Sequence, residues 1–259
     1  MTSRDVAHPA VRLADVAAER GGTTIWAEGS FDIAPGSVVG VIGPNGSGKS
    51  TLLQLLLGLL EPASGSIEVL GRAPRRGDPR IGYVPQGDDA RATDSIRCRD
   101  LVALGLDGTG FGFVHRGAAS RRSIDHALAA VGASEYAGRR LSEVSGGQGR
   151  RVAIAQAIVG DPDLLLLDEP LAGLDVRNQH DLARLLASIS SQRSMTTMVV
   201  THDINPLLDV LTGAVYRLDG HPHYAPIGDV VDEHLLSHLY GTSIKVVRTA
   251  QGDLFTRSG

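Results

Sequence analysis

The segment GPNGSGKST, directly after the apolar run SVVGVI, constrains the fold more strongly than any other part of this chain. Its spacing fits G-x-x-x-x-G-K-[ST], and it stands between a predicted buried strand (residues 37–42) and a predicted helix (residues 49–60). In this context glycines let main-chain N–H groups turn inward around phosphate oxygens, and the helix dipole adds positive charge. The segment therefore predicts a phosphate-binding loop formed by Gly43, Pro44, Asn45, Gly46, Ser47, Gly48, Lys49, Ser50 and Thr51.

Two side chains of this loop carry the chemistry that the motif predicts. Lys49 is expected to reach the β- and γ-phosphates of a bound nucleotide, and the hydroxyl of Ser50 is expected to bind Mg²⁺. The alternative is an ordinary glycine-rich turn with a solvated lysine. The apolar strand before the loop and the leucine-rich helix after it favour the phosphate site.

Further polar residues come at the ends of predicted strands. Asp168 and Glu169 follow the run LLLL, and we expect Asp168 to hold Mg²⁺ and Glu169 to orient or deprotonate an attacking water. His202 follows the run MVV, where an imidazole can contact the γ-phosphate and hold the geometry of that water. Gln86 in YVPQ is a candidate for contact with Mg²⁺ or with the water. A helix N-cap pair and a structural histidine are the competing interpretations.

A second glycine-rich loop, VSGGQGRR at residues 144–151, raises the question of why one chain carries two anion-binding loops. Ser145 can cap the helix that begins near Gly146, and this aims N–H groups and the helix dipole at a phosphate. The start of a helix needs no other device to bind an anion.

Strands and helices alternate along most of the chain, which favours an α/β fold with βαβ units and a parallel sheet. Residues 1–36 differ, because they contain short alternating stretches typical of antiparallel strands. Residues 87–160 are interpreted as a helical insertion between two strands of the main sheet. The tail has a predicted helix around residues 231–239 and a predicted hairpin over residues 245–255.

The sequence resembles the ATP-binding cassette (ABC) ATPases. Five motifs occur in the order of that family, namely GPNGSGKS, YVPQ, VSGGQ, LLLLDEP with LAGLD, and VVTHD. Other phosphate-loop proteins lack the SGGQ element, so the set is specific. The resemblance implies an α/β P-loop NTPase cassette with a mostly parallel core sheet, an antiparallel β-subdomain and a helical subdomain. It implies a single ABC ATP-binding domain over residues 1–259, with a RecA-like core plus β-subdomain (1–86 and 161–220), a helical subdomain with the signature motif (87–160) and a short C-terminal extension (221–259).

The same resemblance implies how the two loops are used. In this family two cassettes pair head to tail, and the Ser-Gly-Gly-Gln loop of each copy caps the ATP held by the other. Ser145, Gly146, Gly147 and Gln148 are therefore expected to contact the nucleotide of a second copy of this chain. Asp175 in LAGLD matches the family loop that links the two sites across the interface.

The adenine contact departs from the family pattern. The family usually has an aromatic residue near the position of Arg20, and Arg20 can stack through its guanidinium plane. Trp26 is the nearest aromatic residue, so it is a candidate for stacking on the base. The alternative is that Trp26 belongs to the core of the β-subdomain.

Two later stretches, THDINPLL (201–208) and HLYGTSIKVV (238–247), resemble the ATP-binding subunits of zinc and manganese uptake systems. The resemblance implies an ATPase that uses ATP and Mg²⁺ to power import of a divalent metal ion through a separate membrane permease. It implies a place at the cytoplasmic face of the membrane, an indirect extracytoplasmic metal-binding partner, and permease docking after Gln86 and through residues 111–113. Importers of iron chelates share part of this pattern. A soluble cassette that acts on ribosomes or DNA is the less favoured alternative.

Composition supports a peripheral protein without a nucleic-acid partner. The net charge of −4 does not suggest a bulk polyanion as partner. The single cysteine, Cys98, cannot form an internal disulfide, which fits a reducing compartment. The most apolar stretch is far shorter than the ~20 residues of a membrane span. The histidines in the tail are interpreted as solvated surface residues rather than as a Zn²⁺ site.

Overall fold

The fold comes from a computed structural model that describes residues 8–87, 95–107, 117–248 and 254–258. Strands and helices alternate, and a helical segment separates two strands of the main sheet. The strands and helices, in chain order, are β1 (Val11–Arg20), β2 (Thr23–Ile33), β3 (Val38–Ile42), α1 (Lys49–Leu56), β4 (Ser64–Val69), β5 (Ile81–Val84), α2 (Cys98–Asp107), α3 (Ala118–Ala130), α4 (Gly146–Ile158), β6 (Leu164–Asp168), α5 (Val176–Arg193), β7 (Thr196–Val200), β8 (Gly213–Leu218), β9 (His221–Pro226), α6 (Ile227–Val230), α7 (Glu233–Tyr240), β10 (Ile244–Arg248) and β11 (Leu254–Ser258).

A six-stranded sheet with the order β5-β6-β7-β3-β8-β9 forms the centre of the fold. Strands β5, β6, β7, β3 and β8 pair in parallel, and the edge strand β9 pairs antiparallel with β8. Every residue of β3, β6 and β7 is buried, because their side chains enter hydrophobic clusters on both faces of the sheet. The three buried strands and the mostly parallel core sheet predicted from the apolar runs are confirmed.

Strands β1 and β2 lie within the first 36 residues and form antiparallel strands, as the alternating pattern predicts. They join β4, which the pattern did not include, in a separate sheet of order β2-β1-β4. Its inner face packs with leucines of α1 in one hydrophobic cluster. Strand β2 also lies against the edge of the core sheet, since a Cβ added at Gly29 would overlap the ring of Pro222 in β9. A glycine is therefore needed where the two sheets approach each other.

Helices α2, α3 and α4 form the helical segment between β5 and β6. Helix α4 lies unusually close to its neighbours at its C-terminal end. A Cβ at Gly105 of α2 would overlap the carbonyl oxygen of Gln156, and a Cβ at Gly82 of β5 would overlap that of Ala157. These approaches fix the helix that begins at the SGGQ loop. The predicted permease-docking residues 111–113 lie outside the described residues.

Helix α1 is shorter than the sequence predicts. The apolar pattern favours a helix over residues 49–60, but α1 ends at Leu56. Gly58 adopts a φ of +64°, and a Cβ there would meet main-chain atoms of Arg75 at 2.8 Å. The N–H of Leu59 donates to the carbonyl oxygen of Gln54 (2.8 Å) and the N–H of Gly58 to that of Leu55 (3.1 Å), so a left-handed glycine cap ends the helix before the apolar pattern does.

The end of the chain forms helix α7 and the hairpin β10–β11, which we call the C-terminal unit. Asp232 caps α7, where its Oδ1 accepts a hydrogen bond from the N–H of Leu235 (2.9 Å). The helix is tied to the hairpin by Ser237, whose Oγ accepts from the N–H of Ile244 (2.9 Å) and donates to its carbonyl (3.3 Å). The helix and hairpin predicted for the tail are confirmed, with bounds shifted by a few residues.

The helices of the described ranges include none that could span a bilayer. The longest of them, α5, has 18 residues and carries several charged side chains, among them Arg177, Asp181 and Arg184. A membrane span requires about 20 predominantly apolar residues.

A buried carboxylate fixes the loop between β4 and β5. Asp78 is 8% exposed, and it accepts hydrogen bonds from Arg80 Nη2 at Oδ2 (2.7 Å) and from Arg80 Nε at Oδ1 (3.1 Å). Arg75 Nε lies 3.5 Å from Oδ2. The hydrogen bonds from Arg80 lower the pKa of Asp78 to about 2.

We predict that Asp78→Asn lowers the free energy of unfolding at pH 7 by about 2 kcal/mol. Because the pKa of Asp78 is lower in the folded state, its contribution is present above the unfolded-state pKa and is lost as the pH falls through about 2. Urea unfolding should show that the free energies of unfolding of the wild type and of Asp78→Asn converge as the pH falls from about 5 to about 3. Asp125→Asn is the control, because its ion pair with Arg99 is exposed and contributes little. A difference independent of pH would contradict the prediction.

Candidate active site

Three buried parallel strands end at one edge of the core sheet, and a predicted site segment follows each of them. Strand β3 leads into the loop at residues 43–51, β6 ends at Asp168, and β7 is followed closely by His202. The carboxyl ends of parallel strands form the ligand crevice of open α/β sheets. The fold therefore brings together three segments that are far apart in the sequence.

The loop at residues 43–51 wraps around its own lysine. Lys49 Nζ donates hydrogen bonds to the carbonyl oxygens of Gly43 (2.8 Å) and Pro44 (3.0 Å), and the residue is buried. Burial lowers the pKa of Lys49, whereas the nearby carboxylates of Glu169 and Asp168 raise it. An ammonium group is thus fixed at the head of the loop, where the motif requires it to meet phosphate oxygens.

Asp168 and Ser50 form a pair of oxygen donors beside this lysine. Ser50 Oγ donates to Asp168 Oδ2 at 3.4 Å, while the buried Oδ1 has no hydrogen-bond partner. Burial raises the pKa of Asp168 and the charge of Glu169 raises it further, whereas Ser50 and Lys49 lower it. An unpartnered buried carboxylate oxygen next to a hydroxyl suits Mg²⁺, which prefers oxygen ligands. The residues present therefore fit this ion.

Glu169 and His202 are in contact. His202 Nδ1 lies 3.4 Å from Glu169 Oε2, and the imidazole side chain is 60% exposed. Glu169 has a φ of +48°, which is uncommon for a residue with a side chain, and its N–H donates to the carbonyl oxygen of Val200 in β7 (3.1 Å). Strained backbone of this kind clusters at functional sites, where the surrounding structure holds it in place.

A cavity of about 450 Å³ lies over the loop and is lined by the predicted catalytic Glu169. Gln86 also lines it, so the structure brings this residue to the same site. The residues that line it are Arg20, Ile25, Asn45, Gly46, Gly48, Lys49, Ser50, Thr51, Gln86 and Glu169.

Trp26 does not line this cavity, which corrects its assignment as the base-stacking residue. The residue is 2% exposed and belongs to the hydrophobic cluster of the β-subdomain. Its indole N–H donates to the carbonyl oxygen of Ser47 (3.1 Å), so the ring supports the phosphate loop from behind. Without an open face the ring cannot stack on a base. Arg20 and Ile25 are the residues near this position that reach the cavity.

The second glycine-rich loop forms a complete N-terminal cap. The N–H of Gln148 donates to Ser145 Oγ (3.3 Å), and the N–H of Ser145 donates to Gln148 Oε1 (3.0 Å). This reciprocal pair is a capping box, and it fixes the exposed start of α4. A Cβ at Gly146 would meet no heavy atom within 4 Å, so the loop is open on that side.

Asp175 lies at the start of α5, as its sequence position predicts. Its Oδ1 accepts from the N–H of Asn178 (3.0 Å), and this hydrogen bond lowers the pKa of Asp175. Neither Asp175 nor the loop at residues 145–148 is among the residues that line the cavity over Lys49. The two anion-binding loops of one chain therefore do not share a site within that chain.

Tyr240 of α7 is a neighbour of the phosphate loop that the sequence did not indicate. Burial raises the pKa of Tyr240 to about 12, against the opposing effect of a hydrogen bond from the main chain of Gly43. Gly43 and Tyr240 are far apart in the sequence, and no local pattern indicates that they are neighbours.

The tail histidines do not form a metal centre with their neighbours in the described part of the chain. His238 Nε2 lies 3.0 Å from Asp219 Oδ1. No group of three or more His, Cys, Asp or Glu side chains that could hold an ion occurs among the described residues.

These features define the class of the protein: a phosphate-loop nucleotide-binding cassette with a separate, capped SGGQ helix. The family model described as "ABC transporter" matches residues 27–172. The zinc uptake system ATP-binding protein ZurA of Listeria monocytogenes is 41% identical over 177 residues, which cover 67% of this chain and 69% of that protein. The manganese transport system ATP-binding protein MntB of Halalkalibacterium halodurans is 33% identical over 228 residues, 88% of this chain and 86% of that protein. The chain belongs to the ABC transporter family, and it is an ATP-hydrolysing cassette of that family.

Solved structures agree with this assignment. An ABC transporter assigned to the metal-chelate type, in an inward-facing conformation, superposes with a TM-score of 0.83 at 26% identity over 97% of each chain. An ATP-binding cassette of an ABC transporter in its ADP conformation superposes with a TM-score of 0.79 at 20% identity, over 88% of this chain and 97% of the other. The second likeness concerns the fold alone.

Two glycines of the phosphate loop allow a matched test of its packing. Gly46 and Gly48 have φ values of +82° and +89°, but their surroundings differ. A Cβ at Gly48 would overlap Trp26 Nε1 and meet Ile25 Cγ2 at 2.6 Å, whereas a Cβ at Gly46 would meet nothing within 4 Å.

We predict that Gly46→Ala lowers the free energy of unfolding by about 1 kcal/mol, the strain of a left-handed alanine. Gly48→Ala should lower it by at least about 2 kcal/mol more, because the new methyl group displaces Trp26. Urea unfolding at neutral pH measures both. Equal losses in the two variants would show that Trp26 does not support the loop.

Proposed function

We propose that this chain is the ATP-hydrolysing subunit of a membrane transporter that imports a divalent metal ion, manganese or zinc. The assignment of the transported ion rests on one observation. The chain is similar to ATP-binding proteins of zinc uptake and manganese transport systems over two thirds or more of its length. The chain would lie at the cytoplasmic face of the membrane and act through separate permease subunits. An extracytoplasmic metal-binding protein would deliver the ion to the permease, so the transported metal never contacts this subunit.

The arrangement of charges supports ATP hydrolysis at the cavity over Lys49. In the reaction a water attacks the γ-phosphorus, and ADP and inorganic phosphate are released. Glu169 orients the water and accepts its proton, while His202 beside it contacts the γ-phosphate and holds the geometry. Lys49 offsets charge on the β- and γ-phosphates. Mg²⁺, held by Ser50 and Asp168 with Gln86 nearby, would neutralise phosphate charge.

The exposed SGGQ cap supports a head-to-tail pair of cassettes. Ser145, Gly146, Gly147 and Gln148 present a helix N-terminus, and they do not line the cavity of their own chain. In a second copy they would close the site over the γ-phosphate, with Asp175 between the two sites. Dimerisation then depends on bound ATP, and hydrolysis weakens it.

The base of ATP would rest on Arg20 and Ile25 rather than on Trp26. Both line the cavity, whereas the indole is buried. A guanidinium plane can stack on a base as an aromatic ring does, and Ile25 adds apolar surface.

Import of a metal chelate is the second candidate. The observation that favours it is the superposition with the transporter of metal-chelate type over nearly the full length of both chains. A soluble cassette acting on ribosomes or DNA has no similar protein to support it among the relatives described above.

We predict that Ser145→Arg leaves the affinity for ATP within about threefold of wild type but abolishes hydrolysis. The arginine breaks the capping box and obstructs the nucleotide of the second copy, while the cavity over Lys49 is untouched. Isothermal titration measures binding, and phosphate release measures turnover. Ser134→Arg, at an exposed position of the same helical segment, is the control and should keep both.

Mixing variants gives the sharper form of the same experiment. Ser145→Arg lacks a working cap, and Lys49→Ala lacks a working phosphate loop. A head-to-tail heterodimer of the two contains one intact site, so the mixture should hydrolyse ATP although neither variant does alone. If Ser145→Arg alone hydrolysed ATP at the wild-type rate, the proposal that two copies share each site would be refuted.

For the cargo, we predict that cells lacking this chain accumulate less manganese or zinc when the metal is scarce. Elemental analysis of washed cells measures this directly. The wild-type gene should restore the metal content, and Glu169→Gln should not, because the base that orients the water is lost. An unchanged manganese and zinc content together with reduced uptake of an iron chelate would instead support the second candidate.

A further inference from the structure

The side-chain amide of Asn205 pairs with the main chain of Thr256 in the C-terminal unit. Asn205 Nδ2 donates to the carbonyl oxygen of Thr256 (3.1 Å), and Asn205 Oδ1 accepts from its N–H (2.7 Å) and from its Oγ1 (3.0 Å). The two residues are 51 positions apart. An amide that donates to and accepts from the main chain of one residue acts as the peptide group of a neighbouring strand would.

The register of the hairpin leaves the main chain of Thr256 free for this contact. Thr256 lies opposite Val246, and the N–H of Val246 donates to Glu233 Oε1 on the other side of the hairpin (2.9 Å). The N–H groups of both residues therefore point away from the partner strand, which is the geometry of a non-hydrogen-bonded pair. Asn205 thus occupies the outer edge of β11 without disturbing the hairpin.

Local hydrogen bonds connect Asn205 to His202. Thr201 Oγ1 accepts from the N–H of Asp203 (3.1 Å) and donates to its carbonyl oxygen (2.7 Å). Asp203 Oδ1 accepts from the N–H of Asn205 (3.0 Å). The segment from Thr201 to Asn205 is therefore two consecutive turns, and a displacement of Asn205 moves the main chain that carries the imidazole.

The C-terminal unit also approaches the phosphate loop. Leu239 Cδ1 lies 3.9 Å from the position that a Cβ at Gly43 would take. A cavity of about 300 Å³, lined by His202 and Tyr240 among others, separates the two contacts. The segment of His202 also shares core packing with the unit, because Ile204 belongs to the same hydrophobic cluster as Leu236 and Leu239. The hydrogen bonds of Asn205 add a directional polar anchor to this packing, next to the exposed imidazole.

We propose that Asn205 is a positioning residue for ATP hydrolysis: through Thr256 it anchors the segment that carries His202 to the C-terminal unit, so that the imidazole stays beside Glu169. Asn205 is not among the residues that line the nucleotide cavity, so it acts through His202. The inference rests on ATP hydrolysis at the site of the proposed function and not on the cargo.

The test compares steady-state ATP hydrolysis by full-length variants. Asn205→Ala removes all three hydrogen bonds and should lower kcat by about 10-fold or more, with the KM for ATP within about twofold, because the phosphate loop is unchanged. Thr256→Pro removes the N–H that Asn205 accepts, without removing a bond of the hairpin, and should lower kcat similarly. Thr256→Val restores that N–H and should recover most of the turnover. Val247→Thr, at an exposed position on β10, is the control.

The double variant separates positioning from general destabilisation. If Asn205 and Thr256 act as one anchor, Asn205→Ala/Thr256→Pro should be no slower than either single variant. Losses that multiply, or a kcat that stays at the wild-type value in both single variants, would overturn the proposal. If Asn205→Ala does not fold, the Thr256→Pro and Thr256→Val pair still decides it. Absence of hydrolysis in the wild type would overturn this inference together with the proposed reaction, whereas wild-type turnover with unaffected variants refutes the inference alone.

Discussion

The charge balance around Lys49 governs the site. Lys49 and Arg20 face two carboxylates, Asp168 and Glu169, so the side chains of the pocket supply no net positive charge where a triphosphate has to enter. An anion of that charge can be held there only if further positive potential arrives with it. The N–H groups of the loop would supply part, and a divalent cation on the unpartnered oxygen of Asp168 would supply more. The remainder suits a second helix N-terminus, which is what the capped SGGQ loop presents.

The parallel sheet brings these charged groups together in space. Because β3, β6 and β7 are neighbours in the sheet and run in the same direction, the loop after β3, the carboxylates after β6 and the histidine after β7 meet at one edge of the sheet. The hydrogen bond from the N–H of Glu169 to Val200 ties the second of these segments to the third. The left-handed φ of Glu169 is the local strain that accompanies this tie.

Local patterns made the core of the site predictable, and long-range contacts set the limits. The buried strands, the loop around Lys49 and the cap of Ser145 each depend on residues that are close in sequence. Local sequence patterns therefore predict them. Trp26 could not be placed in that way, because its burial and its hydrogen bond to the carbonyl oxygen of Ser47 join the antiparallel sheet to the phosphate loop, 21 positions away. The end of α1 at Leu56 did have a local signal, because Gly58 caps the helix in the left-handed conformation, but the apolar pattern continues past it. The pairing of Asn205 with Thr256 has no sequence signal, since a single amide in a loop is ordinary.

The elements that hold the phosphate loop, the carboxylates and His202 in place determine how the proposed dimer would open. The phosphate loop rests on Trp26 from one side and on the C-terminal unit from the other, and the segment of His202 rests on the same unit through Asn205. The carboxylates are fixed by the sheet. All parts of the site that belong to one chain are therefore joined into one body, whereas in the proposed dimer the SGGQ cap would come from the other copy. When the γ-phosphate leaves the proposed dimer, the weakest boundary would be the one across the phosphate, and the two cassettes would separate there rather than within either chain.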